Sequence, residues 1–259
     1  MKSRVVLPRL FLSVLSMAFS FTASAQFDEM PRGEESGRKL ATVLCSLRPA
    51  ENADWSGTLK VSRNHKTTSF PVACAWTTGD STWSVTYLVP GTNSIPAERL
   101  TISFFTNQPP VYYHARALSP GAPLPPPVTL HGAEANIPFA DSDFWLSDLG
   151  FDFFHWPKQN LLPSQIRRSQ PCYVLESTNP NPATNAYSKV VIWIHKDALA
   201  PLDAEAYGPD ARLLKQYQPG SFKKINGRYE LKDLEIRNVQ TGSRTQILFN
   251  LPVKQDSAN

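Results

Sequence analysis

The chain has 259 residues, of which 41% are hydrophobic, with 26 lysines and arginines against 22 aspartates and glutamates. This length suits one large β domain, and the near balance of charge gives no indication of nucleic acid or an acidic membrane as the main partner. The three cysteines lack the short spacings of zinc and thioredoxin-like sites.

The amino terminus has the pattern of a secretory signal peptide. Three basic residues within the first nine precede an apolar stretch over 10–21, which is followed by the small residues 23–25. The apolar stretch is well short of the roughly 20 residues that a membrane-spanning helix needs, although an uncleaved anchor is an alternative. We predict cleavage after Ala25, which leaves one exported domain over 26–259 with a net charge of about +1. No cysteine stands at the new terminus, so we expect no lipid anchor.

The first half of the predicted domain is dominated by apolar residues at every second position. One amphipathic helix is predicted over 34–48, before these stretches begin. Alternation with a period of two places an aromatic and β-branched face against a polar face, which is typical of an antiparallel sheet. Strands are predicted near 54–63, 69–78, 82–89, 98–107 and 110–117.

Prolines and aromatic residues mark the middle of the chain. Residues 119–127 contain five prolines and are predicted to form a long loop between two sheet halves. The most aromatic stretch, 141–156, is predicted to contain a helical turn that is broken at Gly150 and holds rings over the sheet. An ordinary core plug and a mobile lid are both consistent with this stretch. Strands are predicted again at 171–177, 187–196, 202–207, 211–218, 222–226, 229–239 and 244–252.

The order of features from about Ser142 onward is similar to that of a known family. The matching segments are Ser142-Asp143-Phe144, Asp148-Leu149, Cys172 to Glu176, Tyr187 to Ile194, Pro201-Leu202, Tyr207 and Thr245. They resemble the outer-membrane lipoprotein-sorting (LolA-like) family. The resemblance implies a mainly β fold with few helices, an incomplete and strongly curved antiparallel β-barrel of the LolA/LolB type with a helical plug or lid. In that family the apolar concavity accepts acyl chains during transport across the periplasm. No lid-latching residue is assigned from the resemblance.

Catalytic and metal-binding patterns are lacking in the sequence. The five histidines have no metal-ligand spacing, and neither a serine elbow nor a phosphate-binding glycine loop is present. Four aspartates, Asp141, Asp143, Asp148 and Asp152, form one cluster, for which capping and turn formation is the simpler explanation and a general acid the alternative. We therefore expect no enzymatic activity, no cofactor and no metal. Cys45, Cys74 and Cys172 allow one disulfide or buried free thiols, and no pair is assigned.

The function that we favour from the sequence is a periplasmic carrier or chaperone for acyl chains of lipids or lipoproteins, acting in outer-membrane lipoprotein sorting. The alternative is a non-enzymatic envelope interaction module with a filled β core, which docks onto a membrane complex through an exposed strand or the loop at 119–127. We expect a monomer in either case. For each candidate residue of the cavity, plain core packing is the competing explanation.

The candidate residues form two groups. The cavity-wall candidates are Trp55, Leu59, Val61, Phe70, Val72, Trp76, Trp83, Val85, Tyr87, Ile102, Phe104 and Trp193. The lid candidates are Phe144, Trp145, Phe151, Phe154 and Trp156. Burying one acyl chain of about fifteen methylenes against such a surface contributes roughly 12 kcal/mol before the cost of association.

Overall fold

A computed structural model of the protein describes residues 30–250 apart from 50, 107, 185, 221, 226 and 227. The predicted signal peptide over 1–25 lies outside the described residues. Within the described ranges, no helix has both the length and the apolarity that crossing a membrane requires. The two α-helices are α1 (Glu34–Ser46) and α2 (Leu146–Leu149). Short 3-10 helices cover Gly132–Ala135, Phe139–Asp141 and Asp152–His155.

Most of the described chain belongs to one antiparallel sheet. Thirteen strands are hydrogen-bonded in the order β6-β5-β4-β3-β2-β1-β15-β14-β11-β10-β9-β8-β7, and β12 and β13 form a separate hairpin. The sheet is open and curved, which confirms the predicted incomplete barrel. The strands are β1 (Ala53–Arg63), β2 (Lys66–Thr78), β3 (Thr82–Val89), β4 (Glu98–Phe105), β5 (Gln108–Arg116), β6 (Val128–Leu130), β7 (Lys158–Arg167), β8 (Gln170–Thr178), β9 (Lys189–His195), β10 (Pro201–Tyr207), β11 (Leu213–Pro219), β12 (Phe222–Ile225), β13 (Arg228–Leu231), β14 (Asp233–Asn238) and β15 (Arg244–Phe249).

Two predictions for the segments between and within strands are wrong. The proline-rich loop at 119–127 joins β5 to β6, which pair with each other at one edge, so it does not link two sheet halves. The three residues of β6 are too few to give a periodic signal. The predicted strand 229–239 is two strands, because the backbone breaks at Lys232 and β13 pairs with β12 outside the main sheet.

Strand β7 was not predicted from the sequence. Its side chains are mostly polar, and Pro163 interrupts the pattern. The pairing of β7 with β8 shifts register between Leu162 and Gln165, so the proline lies at a bulge of an edge strand, where no ladder hydrogen bond is needed from it. The amino-terminal end of α1 covers part of this edge, since Gly33 and Leu161 exchange both backbone hydrogen bonds.

Helix α1 forms because apolar residues recur on one face and acids occupy its first turn. Leu40, Ala41 and Leu44 are buried against the sheet, while Glu34 and Glu35 lie at the positive end of the helix dipole. The helix ends at Ser46, two residues earlier than predicted. Pro49 disfavours helical geometry at the residue before it, which explains the earlier end.

The core of the molecule is divided along the sheet into two main clusters. The first cluster packs the concave residues of β1–β5 against β14 and β15, and the second packs α1 against β7–β10. Tyr217 on β11 contacts both clusters, so they form one continuous layer. A small third cluster around Cys172 and Trp193 lies on the opposite face of β8 and β9. The apolar segment 190–194 therefore has one face in the second cluster and the other in the third.

Candidate functional site

The concave face of the sheet is covered by residues 131–157, which we call the plug. The plug connects β6 to β7 and consists of three 3-10 turns and the single turn of α2. Its isolated bridge, between Pro138 and Trp145, is internal, and the plug is attached to the sheet through side chains. The predicted helical turn through Leu149 that ends at Gly150 is confirmed.

Eleven of the twelve cavity-wall candidates lie together on the concave face. Trp76, Trp83 and Phe104 are half-buried at the margin of the first cluster, and the other eight are buried within it. Trp193 is separated from them. It projects from the opposite face, where its indole donates to Gln165 at 2.8 Å and the guanidinium of Arg167 lies 4.5 Å from its ring centroid.

The five lid candidates all belong to the plug but divide between the clusters. Phe144 is fully buried in the first cluster, while Trp145, Phe151, Phe154 and Trp156 pack against the second at half-buried positions. Trp145 is stacked on Tyr187, which lies in the loop that precedes β9, with ring centroids 4.5 Å apart. The plug therefore spans both halves of the concave face.

A buried ion pair fixes the middle of the plug to the sheet. Lys215 of β11 donates to the Asp148 carboxylate at 3.1 Å and to the carbonyl of Asp143 at 2.8 Å. The hydroxyl of Tyr187 donates to the same carboxylate at 2.9 Å. The Lys215 ammonium also lies 3.7 Å from the ring centroid of Trp145. We call Lys215, Asp148 and Tyr187 the polar latch.

Burial of the charged groups is the main influence on the pKa of Lys215 in the polar latch. Only 5% of the Lys215 side chain and 8% of the Asp148 side chain are exposed. Burial lowers the pKa of Lys215, and the negative charge of Asp148 opposes this shift. Removing either partner would leave an uncompensated buried charge, which typically destabilises a protein by about 3–5 kcal/mol.

A second set of polar contacts attaches the segment just before α2 to the sheet. Ser243 and Thr245 donate to the two carboxylate oxygens of Asp143, at 2.5 and 2.8 Å. The Arg63 guanidinium lies 3.7 Å from the same carboxylate. At the plug's other end, the amide of the buried Gln159 donates to the carbonyls of Phe153 and Trp156, both at 2.9 Å. The plug is thus held by side-chain contacts at three separate points.

The four clustered aspartates have distinct roles in the structure. Asp141 pairs with Arg116, and Asp143 accepts from the hydroxyls of Ser243 and Thr245. Asp148 accepts from the backbone amide of Trp145 and from the polar latch. Asp152 differs from the other three because it has no ion pair among the described residues. Burial raises the pKa of its carboxyl. Turn and cap formation therefore describes part of what these residues do, and ion pairing with strands accounts for the rest.

The polar latch was missed by sequence reasoning. Lys215 occupies the position two residues before Tyr217 and so shares its inward face. A lysine in phase with concave-facing residues of a strand is a signal for a buried partner, because lysine is seldom buried unpaired. Its partner Asp148 is far away in sequence, so the pair itself could not be read from spacing.

Little free volume remains beneath the plug. One cavity of about 20 Å³ lies among Phe151, Lys215, Tyr217 and Ile236. Another of about 200 Å³ lies at the rim, between the plug and the loop that precedes β9. Pockets for drug-sized ligands are usually about 300–1,000 Å³. With the plug in this position, neither of these two cavities is large enough for an acyl chain.

The cysteines and other polar groups form no metal centre within the part of the chain that the structure describes. Cys45, Cys74 and Cys172 are all free thiols. Cys45 lies 3.5 Å from the Nε2 atom of His155. Burial raises the pKa of the Cys45 thiol to about 12, so the thiolate required of a nucleophile is disfavoured.

Comparison with known proteins places this architecture in a wider group. A family model of uncharacterized proteins matches residues 126–257, just over half of the chain. None of the curated proteins matches the sequence significantly. A DUF1329 family protein from Desulfovibrio piger and a structure described as an outer membrane lipoprotein-sorting protein domain from Vibrio parahaemolyticus both superpose with a TM-score of 0.67. Each is 17% identical, over 87% of this chain and 94% of its own.

A third solved structure is similar at a slightly lower level. It is a LolA superfamily protein from Nitrosomonas europaea, with a TM-score of 0.55 and 16% identity over 86% of this chain and 96% of its own. At these identities the similarity concerns the fold. The open, curved antiparallel sheet of this chain is therefore a fold that it shares with these structures.

Proposed function

The chain belongs to the family of uncharacterized proteins whose model matches residues 126–257, and it has the fold of a LolA superfamily protein; on this basis we propose that it is a periplasmic carrier that binds acyl chains of lipids or lipoproteins on its concave sheet face. The observation that carries this proposal is the continuous apolar surface beneath the plug. Eight of the wall candidates are buried there by a segment that is attached through side chains rather than through strand pairing. In this proposal the plug is a lid, and acyl chains replace it on the sheet.

The free energies of the two states, with the plug or with an acyl chain on the sheet, are consistent with a plug that acts as a lid. An acyl chain of about fifteen methylenes contributes roughly 12 kcal/mol of gross burial. Displacing the plug exposes its own rings and separates Lys215 from Asp148. Since both states bury the same sheet surface, the two contributions largely offset each other, and loading remains reversible.

The first experiment asks whether the exported protein carries lipid. Native mass spectrometry of protein isolated from cells, followed by organic extraction, should reveal a bound species that extraction removes. The purified, delipidated protein should then bind cis-parinaric acid, whose fluorescence rises in an apolar site. Absence of both signals would contradict the carrier.

A variant pair tests the role of the plug. Lys215→Met weakens the attachment of the plug, so its displacement requires less free energy and parinaric acid should bind about tenfold more tightly. Lys39→Met removes an exposed lysine that pairs with Glu35 on α1 and should leave binding unchanged. If Lys215→Met fails to fold, Tyr187→Phe keeps the ion pair, removes one hydrogen bond of the polar latch, and should shift binding in the same direction. Equal affinity in all variants would contradict a moving lid.

One observation favours the alternative of an interaction module with a filled core. The cavity directly beneath the plug measures only about 20 Å³, as in a well-packed domain. A module predicts no extracted lipid, no parinaric acid binding even by Lys215→Met, and envelope proteins that co-purify with the chain. The same set of measurements therefore separates the two functions.

A further inference from the structure

The cavity of about 200 Å³ at the rim has a chemical character unlike that of the concave face. It lies between the plug, which contributes Asp148, Asp152 and Trp156, and the loop that carries Asn179 and Tyr187. At about 30 Å³ for each water-sized group, the cavity has room for roughly seven non-hydrogen atoms. It therefore suits a small polar molecule or a head group rather than an acyl chain.

The charges that line this cavity are negative. Two carboxylates and no lysine, arginine or histidine are among its lining residues. The charge of Asp148 is compensated by Lys215 at 3.1 Å. Among the ion pairs between the residues that the structure describes, none includes Asp152. A partly buried carboxylate without a basic partner favours a cation and disfavours an anion at this place.

Aromatic rings complete the walls. Phe153, Trp156 and Tyr187 line the same cavity as Asp152. Aromatic faces attract ammonium groups, and this attraction is strongest where water is largely excluded. Rings are poor partners for a metal ion, which needs several oxygen ligands at short distance. Asp152 has no basic partner among the described residues, and the hydrogen bond from the Trp156 side chain opposes the rise in its pKa that burial causes. One carboxyl group without a cationic partner and three rings together suit an organic cation.

We propose that the rim cavity binds a small organic ammonium group, with Asp152 as its counter-ion and Trp156 and Tyr187 as its walls. The ammonium group belongs either to a free amine or to a lipid head group. Because this cavity exists while the plug covers the sheet, binding here does not require a bound acyl chain. The carboxamides of Asn136 and Asn179 also line the cavity and can orient a hydroxyl on the ligand.

Isothermal titration calorimetry with choline chloride tests this site directly. Choline should bind. Its uncharged isostere 3,3-dimethylbutan-1-ol should bind with an affinity lower by a factor of about ten or more, since it fills the same volume without the charge. Asp152→Asn should weaken choline binding by about tenfold or more. Asp54→Asn, a change at an exposed acid of β1, is the matched control and should leave it unchanged.

Further measurements identify the source of the ammonium group and test competing ligands. Trp156→Leu tests the ring contribution independently and should also weaken choline binding. Binding to phosphatidylcholine vesicles that free choline inhibits assigns the site to a lipid head group, whereas binding of free choline alone assigns it to a soluble amine. Equal affinity for choline and its isostere, equal affinity in Asp152→Asn and Asp54→Asn, or binding of calcium chloride without choline would overturn the proposal. None of these results depends on whether lipid is extracted from the protein.

Discussion

Two buried tyrosine hydroxyls in this protein have opposite surroundings. Tyr187 donates its hydroxyl proton to Asp148 at 2.9 Å, whereas the hydroxyl of Tyr112 lies near the Asp152 carboxyl without a hydrogen bond of ordinary geometry in the described part of the chain. Burial raises the pKa of both phenols well above the ordinary value, and the negative charge of nearby aspartates raises it further. Both hydroxyls therefore remain protonated at neutral pH and differ only in what they bind.

This difference predicts opposite effects of removing each hydroxyl. Tyr187→Phe should lower the free energy of unfolding by about 1–3 kcal/mol, because the buried Asp148 carboxylate loses a donor. Tyr112→Phe should leave it unchanged or raise it by up to about 1 kcal/mol, because an unpaired buried hydroxyl is removed. Urea unfolding followed by far-ultraviolet circular dichroism measures both. A larger loss for Tyr112→Phe than for Tyr187→Phe would contradict the assigned contacts.

At the same scale, the sequence predicts apolar residues well and polar partners poorly. Alternation in β1–β4 correctly places Leu59, Val72 and Ile102 on the concave face. It misplaces Trp193 among them, because a strand that is apolar on both faces gives no indication of which residues point inward. It also gives no indication that Lys215 meets Asp148, since that contact is formed by folding.

The packing of α1 on β7 depends on a glycine in the middle of the helix. A Cβ atom added at Gly37 would meet the backbone of Gln159 and Asn160 at distances that no real side chain shows. The absence of a side chain lets the helix lie directly on the edge strand. Helix propensity alone favours alanine over glycine by about 1 kcal/mol, so the close approach opposes the local preference.

Gly37→Ala therefore tests which of the two effects dominates. We expect the free energy of unfolding to fall by about 1–3 kcal/mol, because the contact is with backbone that cannot move without shifting β7. Thr42→Ala, at an exposed position of the same helix, is the control and should change it by about 0.5 kcal/mol or less. Urea denaturation gives both values. A stabilised Gly37→Ala protein would show that α1 does not pack as described.

At the scale of elements, the sequence predicts those with strong periodicity. Helix α1 and the strands up to β5 are confirmed to within a few residues. Strand β7 was missed because its order comes from pairing with β8 and from the bridge to Gly33, neither of which leaves a pattern within 158–167. The plug was predicted as an aromatic segment, but its path is set by contacts with Lys215, Ser243 and Gln159 that are distant in sequence.

The whole molecule is organised by one sheet that extends through both main clusters. Because Tyr217 packs against each of them and the strands are continuous, neither cluster can unfold without disrupting the other. We therefore expect one cooperative unfolding transition despite the length of the chain.

Hydrogen exchange measures this coupling between the two halves. Val72→Ala removes buried methyl groups from the first cluster and should lower stability by about 1–3 kcal/mol. The same loss of protection should be measured at the amide of Ile192 on β9, in the second cluster. Thr68→Ala, at an exposed position of β2, should alter neither. Protection at Ile192 that is unaffected by Val72→Ala would indicate two independently stable units.

The pairing of β1 with β15 has a consequence for how the chain reaches its native state. Gly57 lies opposite Phe249, and Val61 lies opposite Thr245, so this central ladder joins segments from opposite ends of the described chain. Bringing such distant segments together carries a large loop-closure entropy, which makes long-range ladders slow to form. Among the described strands β15 is synthesised last, and until then one edge of β1 has no partner. The two halves of the sheet thus depend on β15 before they can join.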